Sequence, residues 1–211
     1  MKTDSLIRAL AADSVVHRPS PYLTAAGLLA ALGATVLLLW AALGFREDLA
    51  AAVVNPLSAL RFVLAGALAL VAGRLALILA RPEGANLARL WPLAVIGAVA
   101  FGALLWAFVT APVGGVQMAV FGKTAVSCLI SIPLLSLLPV AVILFALKGG
   151  AVTAPALAGA VAGLCGGGLA AMVYALHCTE DSPLFYVTWY GLAIAGITLT
   201  SSLVGARLLR W

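Results

Sequence analysis

The sequence predicts an all-α fold, a bundle of six transmembrane helices with both termini on the cytoplasmic side. Three observations lead there. Of 211 residues, 64% are hydrophobic and 9% charged, where a soluble domain carries about 25% charged residues. Six apolar runs, near 22–43, 57–80, 91–110, 124–147, 154–176 and 184–207, each approach the ~20 residues a crossing needs. The basic residues are distributed unevenly about those runs. With the N-terminus inside, Lys2, Arg8, Arg18, Arg74, Arg81, Arg89, Lys148, Arg207 and Arg210 fall on the cytoplasmic side, against Arg46, Arg61 and Lys123 outside. This is the bias of the positive-inside rule. The twelve cations are dispersed between apolar runs, which argues against a nucleic-acid surface.

Two parts follow, an inner tail of residues 1–21 and a six-helix membrane domain of residues 22–211. In the tail, Thr3 or Asp4 caps a short helix, Leu6, Ile7 and Leu10 form an apolar strip, and Arg8 lies opposite; Pro19 and Pro21 end it. About 12 residues are marginal as an isolated helix. The strip therefore points to a partner groove, with a helix lying on the inner leaflet, or disorder, as the alternatives.

The first run, Tyr22 to Leu43, exceeds the ~7–15-residue core of a signal peptide and reads as a retained helix. The breaks between runs carry polar and turn-forming punctuation: “GFRED”, “ARPEGANLARLWP”, “APVGGVQ”, “LKGG” and “HCTEDSP”. Arg61 and Arg74 lie toward the two ends of the second run, where arginine snorkels; Arg61 has Glu180 and Asp181 as alternative partners. In the fourth run Pro133 and Pro139 interrupt the helical ladder, with Ser131 or Ser136 near to satisfy freed carbonyls. The fifth run places Gly159, Gly163 and Gly167 on one face, a spacing that lets a neighbouring backbone approach. Tyr22, Trp91 and Trp211 are expected at the inner interface and Trp40, Trp106, Tyr174 and Tyr186 at the outer one. The pairs Phe185/Trp189 and Tyr186/Tyr190, on the first turns of the last run, read as headgroup anchors or as a lid over the layer beneath.

Chemistry concentrates in “HCTEDSPLFYVTWY”, residues 177–190. Cys178 lies where the fifth crossing leaves the membrane outside. Cys128, five residues after Lys123, sits about 7–8 Å into the fourth crossing, which starts from the same side. Two cysteines fifty positions apart thus share one layer, and meet if those crossings are neighbours. Two uses fit. One is a disulfide, which requires Cα atoms about 4.4–6.8 Å apart. The other is a transient soft metal ion on both thiolates, with His177, Glu180 or Asp181 completing the shell. Cysteine as a small apolar filler is the alternative, and it suits Cys165, beside “GGG” in mid-helix. No obligatory cofactor is expected.

No acid lies deep in any crossing and no Walker loop, HExxH or GxSxG is present, so neither proton-coupled transport nor catalysis has a visible constellation. A metal or solute transporter with a periplasmic Cys/His entry site is the competing class. It requires polar residues continuing inward, and Ser127, Ser131 and Ser136 are all that follow. A thiol-exchanging oxidoreductase would want CxxC or a quinone or haem site.

The order of “MKTDSLIRALAAD”, “ARPEG” at 80–84, Cys128, “ALHCTEDSP” before “FYVTWYGLAI”, and “LLRW” resembles the NrsF family of integral-membrane anti-sigma factors over essentially the whole chain. “HC-x-E” followed by “WYG” is its most specific part. The resemblance implies a multi-pass protein of a Gram-negative inner membrane that holds an ECF-type sigma factor on the cytoplasmic side, without contacting nucleic acid, and releases it under stress. It further implies that Cys128 and Cys178, not Cys165, sense heavy-metal or oxidative stress.

Overall fold

The computed structural model describes residues 3–12, 21–112 and 115–210. Among these the chain is helical without a strand: α1 (Thr3–Ala12), α2 (Pro21–Ala42), α3 (Leu49–Val54), α4 (Pro56–Leu79), α5 (Trp91–Thr110), α6 (Val116–Phe121), α7 (Ala125–Lys148), α8 (Pro155–Tyr174) and α9 (Pro183–Leu208). Six of its helical stretches are long and apolar enough to cross a membrane, Tyr22–Ala42, Pro56–Leu79, Leu87–Thr110, Val116–Lys148, Pro155–Tyr174 and Pro183–Leu208. They match the six apolar runs. The bundle's outer surface carries Leu37, Leu70, Phe101, Phe145 and Leu199 exposed, as a protein solvated by lipid tails requires.

Local chemistry sets the ends. Pro56, Pro155 and Pro183 stand in the first turns of α4, α8 and α9, where a missing N–H is harmless. Asn55 caps α4 by accepting from Leu57 N at 3.0 Å. Pro21 opens α2 and does not close the tail helix. Two short helices, α3 and α6, occupy stretches that the sequence left as loops. α7 runs unbroken through Pro133 and Pro139, and Ser136 Oγ donates to the Pro133 carbonyl at 2.7 Å. Ser127 is exposed and Ser131 half-buried. Among the described residues no hydrogen bond joins the three serines into a polar track.

α8 is the centre of the bundle. Of its apolar window 67% is buried, against 6% for α5, and α9, α4 and α7 pack around it. Small residues make this possible. A Cβ on Gly163 would lie 2.7 Å from Thr198 Cα on α9, and one on Gly205 would lie 2.6 Å from Gly159 Cα. The glycine face inferred from sequence is the α8–α9 contact. Cys165 fills space on α8 and donates to Ala69 O of α4 at 3.2 Å.

Three expectations change. Tyr174 and Tyr186 do not face lipid, and Phe185, Tyr186 and Tyr190 pack as the lid over the cysteine layer and not as lipid-facing anchors. All four are 0–4% exposed within one apolar cluster, because the α8–α9 approach turns that face of α9 inward. Arg61 does not snorkel: it is 1% exposed because carbonyl and carboxylate partners reach it inside the protein. Tyr22, Trp40, Trp91 and Trp106 are exposed as expected, as is Arg74. In the tail, α1 has Asp4 in its first turn, and Asp4, Ile7 and Arg8 are exposed. The side chains of Leu6 and Leu10, and residues Lys2, Arg18, Pro19 and Trp211, lie outside the described set.

Gly163→Val should lower the unfolding temperature in detergent, since overpacking costs about 1–3 kcal/mol. Gly102→Ala, where an added Cβ meets nothing within 4 Å, should leave it unchanged or raise it. Equal midpoints for the two variants would contradict the packing account.

Candidate functional site

Three loops meet at the end of the bundle opposite the termini: residues 43–48 before α3, residues 122–124 before α7, and residues 175–182 between α8 and α9. Backbone geometry lets the first two reach the third. Gly44 turns at φ +77° and presents its carbonyl to His177 Nδ1 at 3.0 Å. Gly122, at φ +51°, sits where a Cβ would strike Phe185 at 2.7 Å and the Glu180 carboxylate at 2.8 Å. That close seat lets Lys123 N donate to Glu180 Oε1 at 2.8 Å. Positive φ is unfavourable for residues bearing a Cβ, so both docking points depend on glycine.

The loops are fastened by charge. Arg46 uses all five of its N–H bonds. Nε and Nη2 grip Asp48 at 2.7 Å each, Nη1 and Nη2 reach Asp181 at 2.8 and 3.2 Å, and Nη1 also donates to the Cys178 carbonyl at 3.1 Å. Its backbone N–H donates to Leu176 O at 3.0 Å. Asp181 accepts in addition from Ser58 Oγ at 2.7 Å and lies 3.1 Å from Arg61 Nη2. Arg61 Nη1 donates to Glu180 O at 3.0 Å. Two guanidiniums and two carboxylates thus form a neutral junction that pins the segment carrying Cys178. Burial works against the Asp181 charge, but hydrogen bonds from Arg46 and Ser58 and the charges of Arg61 and Arg46 outweigh it. Its pKa lies below the ordinary carboxylate value.

Beneath the junction, Cys128 of α7 and Cys178 are 0% and 1% exposed. Both are free thiols within hydrogen-bonding reach of each other. Thr124 Oγ1 lies 3.8 Å from Cys178 Sγ. Tyr174 and Tyr190 wall the pair, edge to face at 5.9 Å. Their hydroxyls have no hydrogen-bond partner among the described residues. The neighbouring Cys128 thiol favours the Cys178 thiolate, burial opposes ionisation, and the Glu180 backbone N–H and the Thr124 hydroxyl act in the same direction as Cys128. The net result is a Cys178 thiol below its ordinary pKa.

The structure therefore brings Cys128 and Cys178 together and takes His177 and Glu180 elsewhere. The His177 ring lies against Tyr174 at 5.8 Å with Nδ1 on Gly44 O, and Glu180 holds the Lys123 amide. Among the described residues no three His, Cys, Asp or Glu side chains are arranged to hold a metal ion. A soft ion here would have the two thiolates alone. Sequence reasoning missed Arg46, Thr124 and the inward role of Tyr174, while Tyr190 takes the lid position that it had offered as an alternative. The acids flanking Arg46 in “FRED” were its one visible signal.

These features define a polytopic helical membrane protein with a buried, asymmetric dithiol fixed at the end away from its termini. The chain belongs to the NrsF family, whose model, described as negative regulator of sigma F, matches residues 9–211. It is 39% identical to the anti-sigma-F factor NrsF of Caulobacter vibrioides (strain NA1000 / CB15N) and 37% identical to the probable anti-sigma-F factor NrsF of Azospira oryzae (strain ATCC BAA-33 / DSM 13638 / PS), in both cases over all of each chain. No solved structure matches.

Removing one partner of a buried ion pair costs about 3–5 kcal/mol. The Asp181 side chain is 35% exposed, so solvent screening reduces this, and Asp181→Asn should cost about 1–3 kcal/mol in detergent unfolding. Because the folded pKa is depressed, the Asp181 contribution is complete above the unfolded value. It is lost as pH falls through the folded one, so acid lability should set in below about pH 4 and be weaker in Asp181→Asn. For the thiols, Cys128→Ala should raise the thiolate titration midpoint of Cys178. An unshifted midpoint would remove the Cys128 hydrogen bond as the cause.

Proposed function

We propose that this chain is a membrane-embedded anti-sigma factor rather than an enzyme. It holds an ECF-type sigma factor at the cytoplasmic face of a bacterial inner membrane and releases it when Cys128 and Cys178 react with a heavy metal or an oxidant. One observation carries the sensing half: two free, buried thiols, from α7 and from the exit of α8, within reach of each other. Full-length similarity to relatives named anti-sigma-F factor supports the regulatory half. The distribution of basic residues, nine toward the termini and three toward the thiol end, supports the orientation. On that orientation the dithiol faces the periplasm, where oxidation is permitted.

The site's own geometry supplies the transduction. Both sulfurs are covered, so a reagent must first displace the segment at 175–182 and strain its ties to Arg46, Arg61 and Lys123. Once a disulfide or a two-thiolate metal complex has formed, Cys128 and Cys178 no longer exchange a hydrogen bond. The walls built from Tyr174 and Tyr190 must then repack against α7 and α9. The prolines of α7 and the close α8–α9 contact carry that change toward the inner end, where α1, with Asp4, Leu6, Ile7, Arg8 and Leu10, and the turn at 81–90 meet the sigma factor. Moving sigma occupancy from 99% to 1% requires the two packings to differ by about 5.5 kcal/mol in their preference for it. A disulfide supplies about 2–4 kcal/mol, and metal–thiolate bonding can exceed that.

Cys128→Ser and Cys178→Ser should each still retain sigma in a membrane pull-down yet fail to release it on exposure to a thiophilic metal or oxidant. Normal release from the double variant would reject the sensing role. Deleting residues 2–14 should abolish capture of sigma by the full membrane domain, and undiminished capture would reject the tail as its grip.

A further inference from the structure

The end of the bundle that carries the termini holds a built surface far from the dithiol. There the turn at 80–84 is strapped to the loop at 149–155. Ala151 N donates to Ala80 O at 2.9 Å, Thr153 Oγ1 to Pro82 O at 3.1 Å, and Gly84 N to Arg81 O at 3.0 Å. Gly150 seats against Ala80, where a Cβ would lie 2.6 Å from the carbonyl oxygen, and Gly84 seats against the backbone of Ile78 and Leu79. Between turn and loop lies an open groove of about 470 Å³, lined by Pro82, Ala151, Val152, Thr153, Pro155 and Arg210. Its size is within the ~300–1,000 Å³ range of ligand pockets.

The charges around this groove are nearly all of one sign. Arg81 precedes Pro82, Lys148 precedes the loop, and Arg207 lies one turn before Arg210; all four cations are exposed. None has an ion-pair partner among the described residues, whose salt bridges lie at the opposite end. Glu83 is the one acid in these segments. A cationic rim about an apolar floor is complementary to an acidic stretch that carries an apolar side chain. Its carboxylates meet the rim and its side chain covers Pro82, Val152 and Pro155. The position favours a protein over a lipid headgroup. The groove is built from residues beyond the helix ends at Leu79, Lys148 and Leu208 and from the first residue of α8, so it caps the bundle instead of lying along its flank. Because the straps form it in advance, little ordering opposes binding.

We infer that this groove docks an acidic segment of the sigma factor, with Arg210 as its central cation. The inference rests on the anti-sigma reading and gives the tail a second, preformed contact to work with. The groove is also placed to respond to the dithiol. Its walls include the start of α8 and a residue just past the end of α9, the two helices whose other ends carry Cys178 and the aromatic lid. Beside it, Ser202 Oγ of α9 donates to Ala156 O of α8 at 3.0 Å. A shift of α9 against α8 therefore moves Arg210 relative to Pro155 and changes the width of the groove.

The test takes the sigma factor retained in the membrane pull-down and measures its affinity for the full chain in nanodiscs of phosphatidylglycerol and phosphatidylcholine. Arg210→Gln, and Ala151→Trp, which fills the groove without changing charge, should each weaken binding about tenfold or more, the scale of a central interface residue. Arg74→Gln, an equal loss of charge on the exposed flank of α4, should bind as wild type. Wild-type affinity in Arg210→Gln or Ala151→Trp overturns the groove and leaves the anti-sigma reading standing. A pull-down that yields no sigma factor overturns that reading, and the groove's partner with it. An Arg210→Gln effect that vanishes in phosphatidylcholine alone assigns the arginine to an anionic headgroup and overturns the proposal, as does an equal loss in Arg74→Gln. Among peptides tiled across the sigma factor, an acidic one should compete; competition from basic or neutral peptides alone would contradict the charge argument. Hydrogen–deuterium exchange on the wild-type complex needs no variant. Slower exchange at 81–84 and 149–154 is expected, and protection confined to 3–12 counts against the groove.

Discussion

How closely α8 lets its neighbours approach is the constraint on which the rest of this structure depends. Within lipid there is little hydrophobic drive between helices, so association rests on packing contacts that small residues permit. Gly163 meets the α9 backbone, and Gly159 meets Gly205, at distances a side chain would prevent. That contact fixes the entry of α9 and the short return at 175–182. It also turns Phe185, Tyr186 and Tyr190 inward and sets Cys178 over α7 within reach of Cys128. A wider α8–α9 spacing would leave the tyrosines at the lipid and separate the thiols.

The ionic junction acts second. Arg46 comes from the loop before α3, Arg61 and Ser58 from α4, and Asp181 from the loop before α9. Three side chains from two other segments converge on one carboxylate, and two of the charged groups are almost wholly buried. Such a cluster contributes less to stability than to uniqueness, because any other loop arrangement strands a cation away from water. Its placement directly above the thiols means that the same groups fix the site and govern access to it.

Much of the fold was legible in the sequence because the bilayer makes a strong demand on composition. Six apolar runs of the right length, the punctuation between them and the uneven distribution of Lys and Arg followed from residue types alone. So did the glycine face of α8 and the common layer of Cys128 and Cys178. The short helices α3 and α6 were not legible, being too brief for any periodicity to show. Arg46 was counted only as a charge outside the membrane. The aromatics of α9 were left between headgroup anchors and a lid because a tyrosine near a helix end has the same one-dimensional signature whether it faces lipid or protein.

The sequence by itself determined that this chain lives in a membrane, how many times it is able to cross, which residues carry its chemistry and which family it resembles. Those properties depend on hydropathy, charge and order along the chain. The tertiary structure decided which partners those residues have. Arg61 is buried against Asp181 and not snorkelling, His177 is spent on Gly44, Glu180 is an amide cap, and Tyr190 stands in the thiol layer. The physical reason is that burial and hydrogen bonding are set by distances across the bundle, between residues as far apart as Arg46 and Asp181, and no local pattern encodes them.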